Sequence, residues 1–212
     1  MKLLQFEIGP FLARCVVLAD EATREALIVD PGFDVEVVIE AVREERLEPR
    51  AIVLTHAHID HAFGVADVKR VFPAARLLLH REDLPLLHNL PMQARMFGFP
   101  VPEEVLEDGL LADGDHVAAG ASRLKVRHCP GHSPGHVVLL EEAAKPSIAV
   151  VGDVLFAGSI GRTDLWGGSF ELLERSIREV LYRLPGDTRV ICGHGPETTI
   201  GEEMATNPFV RP

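Results

Sequence analysis

The chain has 212 residues, 47% of them hydrophobic, and a formal net charge of −11. This length suffices for one sizeable α/β domain, and no apolar run approaches the roughly 18 residues of a membrane-spanning helix. Basic residues do not cluster, so the sequence lacks the positive face with which proteins bind nucleic acids. Because the start also lacks an apolar signal segment, we expect a cytoplasmic protein, with neither nucleic acid nor membrane as a partner.

The first part of the chain predicts strands followed by a helix. Apolar runs predict strands over residues 11–19 and 25–30, and the second leads into the turn signal Asp30-Pro31-Gly32. Asp34 is expected to cap the next helix. The apolar face of that helix carries Val35, Val38, Ile39 and Val42.

The middle of the chain changes character after residue 80. Strand patterns at 51–54 and 76–80 flank a predicted helix at 62–71. Residues 81–116 then lose strand periodicity and interleave prolines with methionines and phenylalanines. We expect a packed loop over the core there. Two functional roles stay open for it, a wall of a substrate pocket or a dimer contact.

The last part of the chain predicts another set of strands and one long helix. The strand patterns lie at 123–128, 137–141, 147–151 and 189–192. Ser169 is expected to cap the helix. Its apolar stripe consists of Phe170, Leu173, Ile177, Val180, Leu181 and Leu184. No linker separates these elements from the earlier ones, so residues 1–212 are predicted to form a single domain.

The cysteines indicate no disulfide framework. Cys15, Cys129 and Cys192 are odd in number and widely spaced. Free thiols agree with the expected reducing compartment.

The densest chemistry follows the strand at 51–54, in the sequence Thr55-His56-Ala57-His58-Ile59-Asp60-His61. The packing of a hydrophobic core does not explain three imidazoles and a carboxylate so close together in the sequence. Alternate residues of an extended segment share a face, so His56 and His58 can point the same way. A helix starting just after would bring Asp60 and His61 to a neighbouring point. Imidazole and carboxylate are ligands for zinc, iron or manganese, so the pattern predicts a metal site.

Candidate ligands also follow three later strand patterns, each beside glycine or proline. They lie in Gly131-His132-Ser133-Pro134-Gly135-His136, in Gly152-Asp153 and in Gly193-His194-Gly195. Glycine lets the backbone turn sharply and approach closely. Loops at one edge of a sheet are where α/β proteins build their sites.

These motifs, in this order, resemble the metallo-β-lactamase superfamily and, within it, the type II glyoxalases (hydroxyacylglutathione hydrolases). The sequence is similar to the short bacterial members, which end in a tail like Asn207-Pro208-Phe209. The resemblance implies an α/β fold, the four-layered αβ/βα sandwich of two mixed sheets with helices outside. It covers nearly the whole chain, and we expect no C-terminal helical domain of the kind with which longer members bind glutathione.

The resemblance implies a site for two divalent metal ions, zinc first, with iron or manganese also accepted by this ligand set. Asp153 would bridge the ions, and Asp60 would both bind one and orient the attacking hydroxide. Asp30 and His136 are candidates for holding ligand imidazoles in place, although a purely turn-forming Asp30 is an alternative. The implied ligands are His56, His58 and His132 for one ion, and Asp60, His61 and His194 for the other.

The activity implied is hydrolysis of glutathione thioesters such as S-lactoylglutathione. Metal binding lowers the pKa of water to about 7, which makes a hydroxide available for attack. A thiol has a pKa of only about 8.5, so the thiolate can leave without a proton donor. Arg162, in Gly161-Arg162-Thr163-Asp164, falls where the family places a basic glutathione-contacting residue. Asp164 and Pro196 stand where the family has aromatic residues, so the chemistry carries over better than the substrate.

Other functions stay open at this point. A persulfide dioxygenase of the same superfamily would use one iron, held by His56, His132 and Asp153, but those enzymes usually carry cysteine where this chain has His136. A β-lactamase fits the expected cytoplasmic location less well. A non-catalytic metal-binding protein is the third alternative. Composition does not decide between a monomer and a homodimer.

Overall fold

The computed structural model describes residues 1–212 and contains two six-stranded sheets together with a small hairpin. The chain divides into two compact units, Met1–Leu111 with Ala118–Arg123, and Ala112–Val117 with Leu124–Pro212. Large mixed sheets with flanking helices confirm the predicted α/β class. The single domain over residues 1–212 stays a prediction. None of the helices combines the length and apolar character that crossing a membrane requires.

The first sheet follows the chain order from edge to edge. Its strands are β1 (Lys2–Ile8), β2 (Ala13–Ala19), β3 (Glu25–Val29), β4 (Glu48–Val53), β5 (Arg76–His80) and β6 (Gly109–Leu111). The pairs from β1 to β3 are antiparallel, whereas those from β3 to β6 are parallel. Parallel neighbours end at the same edge of a sheet, and the histidine motif follows β4 at that edge. Strand β1 was not predicted, although Leu4, Phe6 and Ile8 alternate with the polar residues Gln5 and Glu7 in the sequence.

Five helices belong to the first unit. They are α1 (Glu36–Glu44), α2 (Ile59–Ala62), α3 (Val65–Val71), α4 (Leu84–His88) and α5 (Leu90–Phe97). The predicted helix at 62–71 is confirmed as α3, which begins three residues later than expected. The cap assignment for Asp34 is wrong, because Val35 occupies the N-cap position and Asp34 adopts a left-handed φ of 52°.

Residues 81–97, the first part of the expected loop, are helical, whereas residues 98–108 form neither helix nor strand. A 3-10 turn at Arg81–Asp83 leads into α4 and α5, and each of these two helices has a proline in its first turn. Proline fits there because the first backbone N–H groups of a helix have no partner within the helix. Prolines at 85 and 91 therefore start helices, although they suggested irregular structure in the sequence.

The second sheet has the strand order β14-β13-β10-β9-β8-β7, in which β10 and β13 are parallel. The remaining elements are β7 (His116–Ala119), β8 (Ser122–His128), β9 (Val137–Glu141), β10 (Ile148–Gly152), β11 (Leu155–Phe156), β12 (Ser159–Ile160), α6 (Phe170–Glu179), β13 (Arg189–Cys192), β14 (Thr198–Thr199) and α7 (Ile200–Thr206). The four strands predicted in this part of the chain are confirmed, and each of their ends lies within one residue of the prediction.

Helix α6 begins where the sequence indicates, because the Ser169 hydroxyl accepts a hydrogen bond from the Leu172 N–H at 3.3 Å. Leu173 and Ile177 are fully buried, as the stripe predicted. The first residue of the stripe, Phe170, is 48% exposed, and the stripe continues past the end of the helix, since Leu181 lies in a following 3-10 turn.

The C-terminal segment fixes the β11–β12 hairpin, which follows Asp153. The buried Asn207 side chain donates to the Ser159 carbonyl at 3.0 Å and to Glu203 Oε2 at 2.8 Å. The side-chain amide oxygen of Asn207 accepts hydrogen bonds from the backbone N–H groups of residues 209 and 210. The Asn-Pro-Phe tail is therefore part of the packed structure of this unit.

Candidate metal centre

In the first unit the histidine motif converges as its spacing predicted. The backbone stays extended through His58 (ψ 152°) before α2 starts. The His56 ring centroid lies 4.8 Å from that of His58 and 4.2 Å from that of His61. Asp60 Oδ2 lies 3.7 Å from His61 Nε2, and the Asp60 side chain is 19% exposed, whereas His61 is fully buried. The start of α2 thus brings Asp60 and His61 together beside the first two imidazoles.

Asp30 contacts this cluster directly. Its Oδ2 lies 3.1 Å from His61 Nδ1 and accepts the Thr55 hydroxyl at 2.6 Å, while its Oδ1 accepts the Thr55 backbone N–H at 2.7 Å. The Thr55 hydroxyl oxygen lies 3.0 Å from His56 Nδ1. Burial raises the pKa of Asp30, and its hydrogen bonds to His61 and Thr55 oppose that rise. Asp30 is therefore more than a turn residue.

This network selects the tautomer of two imidazoles. The Thr55 hydroxyl gives its hydrogen to Asp30, so it can only accept from a protonated His56 Nδ1. His61 Nδ1 faces the same carboxylate and must also carry its proton. Both rings then keep the Nε2 lone pair for a ligand, which is the usual arrangement around protein-bound metals.

Helical residues that sequence reasoning missed hold the motif from the other side. The fully buried Asp83 accepts the Ala57 N–H at 2.9 Å. Gln93 accepts the Ile59 N–H at 3.0 Å and donates to the Ala57 carbonyl at 3.1 Å. No local signal could have revealed these contacts, because the partners lie 26 to 36 residues apart.

In the second unit, Asp153 lies between two imidazoles. Its Oδ2 is 3.6 Å from His132 Nε2 and also 3.6 Å from His194 Nε2. Each of the three residues follows a different strand of the sheet, namely β8, β10 and β13. One carboxylate oxygen at equal distances from two imidazole nitrogens is suited to binding cations on both sides.

Backbone contacts fix this second group. His136 is fully buried and its Nε2 accepts the Asp153 backbone N–H at 3.1 Å, so it positions the loop that carries the carboxylate. His132 Nδ1 lies 2.8 Å from the Arg162 carbonyl, so it must donate there and present Nε2 towards Asp153. Gly161 leaves space for this arrangement, because a Cβ atom on it would stand 1.9 Å from the Asp153 carbonyl oxygen.

The Arg162 side chain turns away to solvent and pairs with Asp164. Its Nε and Nη2 donate to the two Asp164 carboxylate oxygens at 2.7 and 2.8 Å. The side chains are 62% and 68% exposed. This pairing raises the pKa of Arg162 and lowers that of Asp164 to about 2. Arg162 therefore contacts a candidate ligand through its backbone, while its guanidinium faces outwards.

The donor set fits divalent transition-metal ions. Imidazole nitrogens and carboxylate oxygens predominate, and the three cysteines are buried free thiols, as expected from the sequence. Such N and O donors suit zinc, iron and manganese. Three of the imidazoles also have the hydrogen-bonded Nδ1 that orients metal-binding histidines.

Comparison with known proteins gives a consistent picture. A family model described as the metallo-beta-lactamase superfamily matches residues 8–194. The chain is 37% identical to hydroxyacylglutathione hydrolase GloC of Haemophilus influenzae over 98% of both proteins. Among solved structures it is 40% identical to the B3 metallo-beta-lactamase BLEG-1, with a TM-score of 0.90 over 99% of each chain. It is 36% identical to TTHA1623 in a di-iron-bound form, with a TM-score of 0.88 over 98% of this chain and 100% of the other.

Proposed function

Because this chain belongs to the metallo-beta-lactamase superfamily, we propose that it hydrolyses glutathione thioesters of the S-lactoylglutathione type. The observation that carries the proposal is the position of Asp153, equidistant at 3.6 Å from the Nε2 atoms of His132 and His194. Similarity to GloC over the whole chain supports the same substrate class.

The proposed cofactor is a pair of divalent ions, zinc first, with iron or manganese as alternatives. The proposed ligands are His56, His58 and His132 for one ion, Asp60, His61 and His194 for the other, and Asp153 for both. The donor chemistry supports this assignment, and TTHA1623 was crystallised in a di-iron-bound form. When bound, such ions ease the ionisation of water and stabilise developing negative charge.

The chain's own residues supply orientation. Asp60 is more exposed than the neighbouring His61, so it can accept a hydrogen bond from the attacking water and aim the water at the thioester carbonyl. The leaving thiolate needs no acid, since a thiol pKa is only about 8.5. Thiolate departure without an acid is consistent with the proposed metal ligands, which include no side chain assigned to donate a proton. Arg162 is proposed to pair with a carboxylate of the glutathione carrier.

The experiment must distinguish thioester hydrolysis from two other activities, β-lactam hydrolysis and persulfide oxidation. A 40% identical structure is a B3 metallo-beta-lactamase, and a one-iron persulfide dioxygenase would need only His56, His132 and Asp153. Metal-replete protein is to be analysed for metal content and assayed in parallel for S-lactoylglutathione hydrolysis, β-lactam hydrolysis and oxygen uptake with glutathione persulfide. We expect two ions per chain and thioester hydrolysis. One ion per chain with oxygen uptake would establish the dioxygenase instead, and β-lactam turnover alone would establish the lactamase.

Expectations about partners and assembly belong to the same proposal. The substrate is a small-molecule thioester, and neither nucleic acid nor membrane is needed. The chain acts as a monomer or a homodimer, which sedimentation analysis at assay concentration would decide.

A further inference from the structure

Arg162 is already engaged by a carboxylate of its own chain. Asp164 occupies the Nε and Nη2 donors at 2.7 and 2.8 Å. These two donors form the edge of the guanidinium that binds a planar carboxylate through two parallel hydrogen bonds. Only the opposite edge of the fork is left for a second anion.

The contact is local and exposed. Both residues lie in the loop between β12 and α6, two positions apart, and both side chains are largely in solvent. Exposed ion pairs are weak. The pair can therefore open when a competing carboxylate arrives, at a modest cost in apparent affinity.

We propose that Asp164 determines substrate specificity by competing with a carboxylate of the thiol carrier for the paired donors of Arg162. This inference rests on the proposed function. Because of this competition, the enzyme binds carboxylate-bearing thioesters more weakly than it would if Arg162 had no partner in its own chain. Neutral thioesters do not need the paired edge of Arg162, so Asp164 does not affect them.

The size of the effect follows from the weakness of the contact. When a site is open in only some of the molecules, its apparent affinity falls in proportion to the fraction that is open. An exposed pair of this kind is closed a few times more often than it is open. Removing the competitor should thus lower the KM for S-lactoylglutathione about three- to six-fold, with kcat changed less than about two-fold.

The test compares Asp164→Asn, which keeps the side-chain shape and removes the charge, with the wild type. Metal-loaded enzymes are assayed with S-lactoylglutathione and with the N-acetylcysteamine lactoyl thioester, which carries no carboxylate. We expect a lower KM for the first substrate only. In the Arg162→Ala background the same substitution should have no effect, because the two residues act as a pair.

A matched control removes an equal charge elsewhere. Glu171 forms an exposed pair with Arg175 on α6 at 3.8 Å. Glu171→Gln should leave both KM values unchanged, which separates competition at Arg162 from a change in overall charge. An equal fall in KM in this control would overturn the proposal.

Failure of the inference and failure of the proposed function give different results. If the wild type hydrolyses the thioesters but Asp164→Asn leaves the KM for S-lactoylglutathione unchanged or raises it, Asp164 does not compete and the inference is wrong. If the wild type hydrolyses neither, the proposed function is wrong. Calorimetric binding of S-methylglutathione then decides the inference, and an unchanged Kd in Asp164→Asn overturns it.

Discussion

Gly161 lies directly against Asp153, so that a Cβ atom added to Gly161 would stand 1.9 Å from the Asp153 carbonyl oxygen. That oxygen is backbone and cannot swing aside, so Gly161→Ala must shift the loop that carries the carboxylate. We expect about a 10- to 100-fold loss of metal affinity and about 1–3 kcal/mol lower stability from overpacking. Chelator competition and thermal unfolding measure the two effects.

Gly186 provides the control for this substitution. A Cβ atom there would meet the nearest atom of Gly201 at 3.7 Å, an ordinary contact. Gly186→Ala should retain the wild-type metal content. A Gly161→Ala variant that binds metal as tightly as this control would show that the loop relaxes without moving Asp153.

Asp30→Asn should weaken metal binding while the chain stays folded. The asparagine amide has one acceptor oxygen, so it cannot replace both Oδ2, which accepts the Thr55 hydroxyl and the His61 Nδ1–H, and Oδ1, which accepts the Thr55 backbone N–H. We expect about a 10- to 100-fold weaker affinity, measured by competition with a chelator. Asp20→Asn is the control, because Asp20 also accepts backbone N–H groups in a strand connection but contacts no candidate ligand. Equal metal loss in both variants would indicate a general effect on stability.

Thr55→Val tests the hydrogen-bonded link to His56 separately. Valine has nearly the same shape but lacks the hydroxyl that lies 3.0 Å from His56 Nδ1, while the contact between Asp30 and His61 remains. We expect metal affinity to fall about ten-fold, and Thr55→Ser, which keeps the hydroxyl, to restore most of it. Were the valine and serine variants to bind metal equally well, the hydroxyl would have no role in orienting His56.

Thiol reagents should not inactivate the protein. All three cysteines are buried, and burial raises the pKa of the Cys129 thiol to about 12 and that of Cys15 well above its usual value. Because only the thiolate reacts, the native protein should show no fast labelling, and all three thiols should react after unfolding. Rapid labelling of the native chain accompanied by loss of activity would implicate a cysteine in the reaction.

The part of the site that could be predicted is the part that local sequence encodes. His56, His58 and His61 converge because an extended segment and a following helix start fix their directions within six residues. The buried strands could also be recognised from local sequence, because each of them is a contiguous run of apolar residues.

What could not be predicted depends on contacts between distant segments or on competing backbone preferences. Asp83 and Gln93 support the histidine motif only because helices pack beside it, and nothing in their neighbourhood reveals this. Asp34 has the side chain of a good N-cap, yet it adopts the left-handed conformation and the helix begins one residue later. Propensity identifies the helix but does not fix its first residue.

The carboxylate of Asp30 serves two imidazoles, one directly and one through Thr55. The proposed assignment gives His61 and His56 to different ions. Whichever ion binds first then orders the hydrogen bonds that the other ion also requires, and the second meets a smaller entropic cost. The two ions should therefore load cooperatively, with little singly occupied protein during a titration, and Asp30→Asn should reduce this cooperativity.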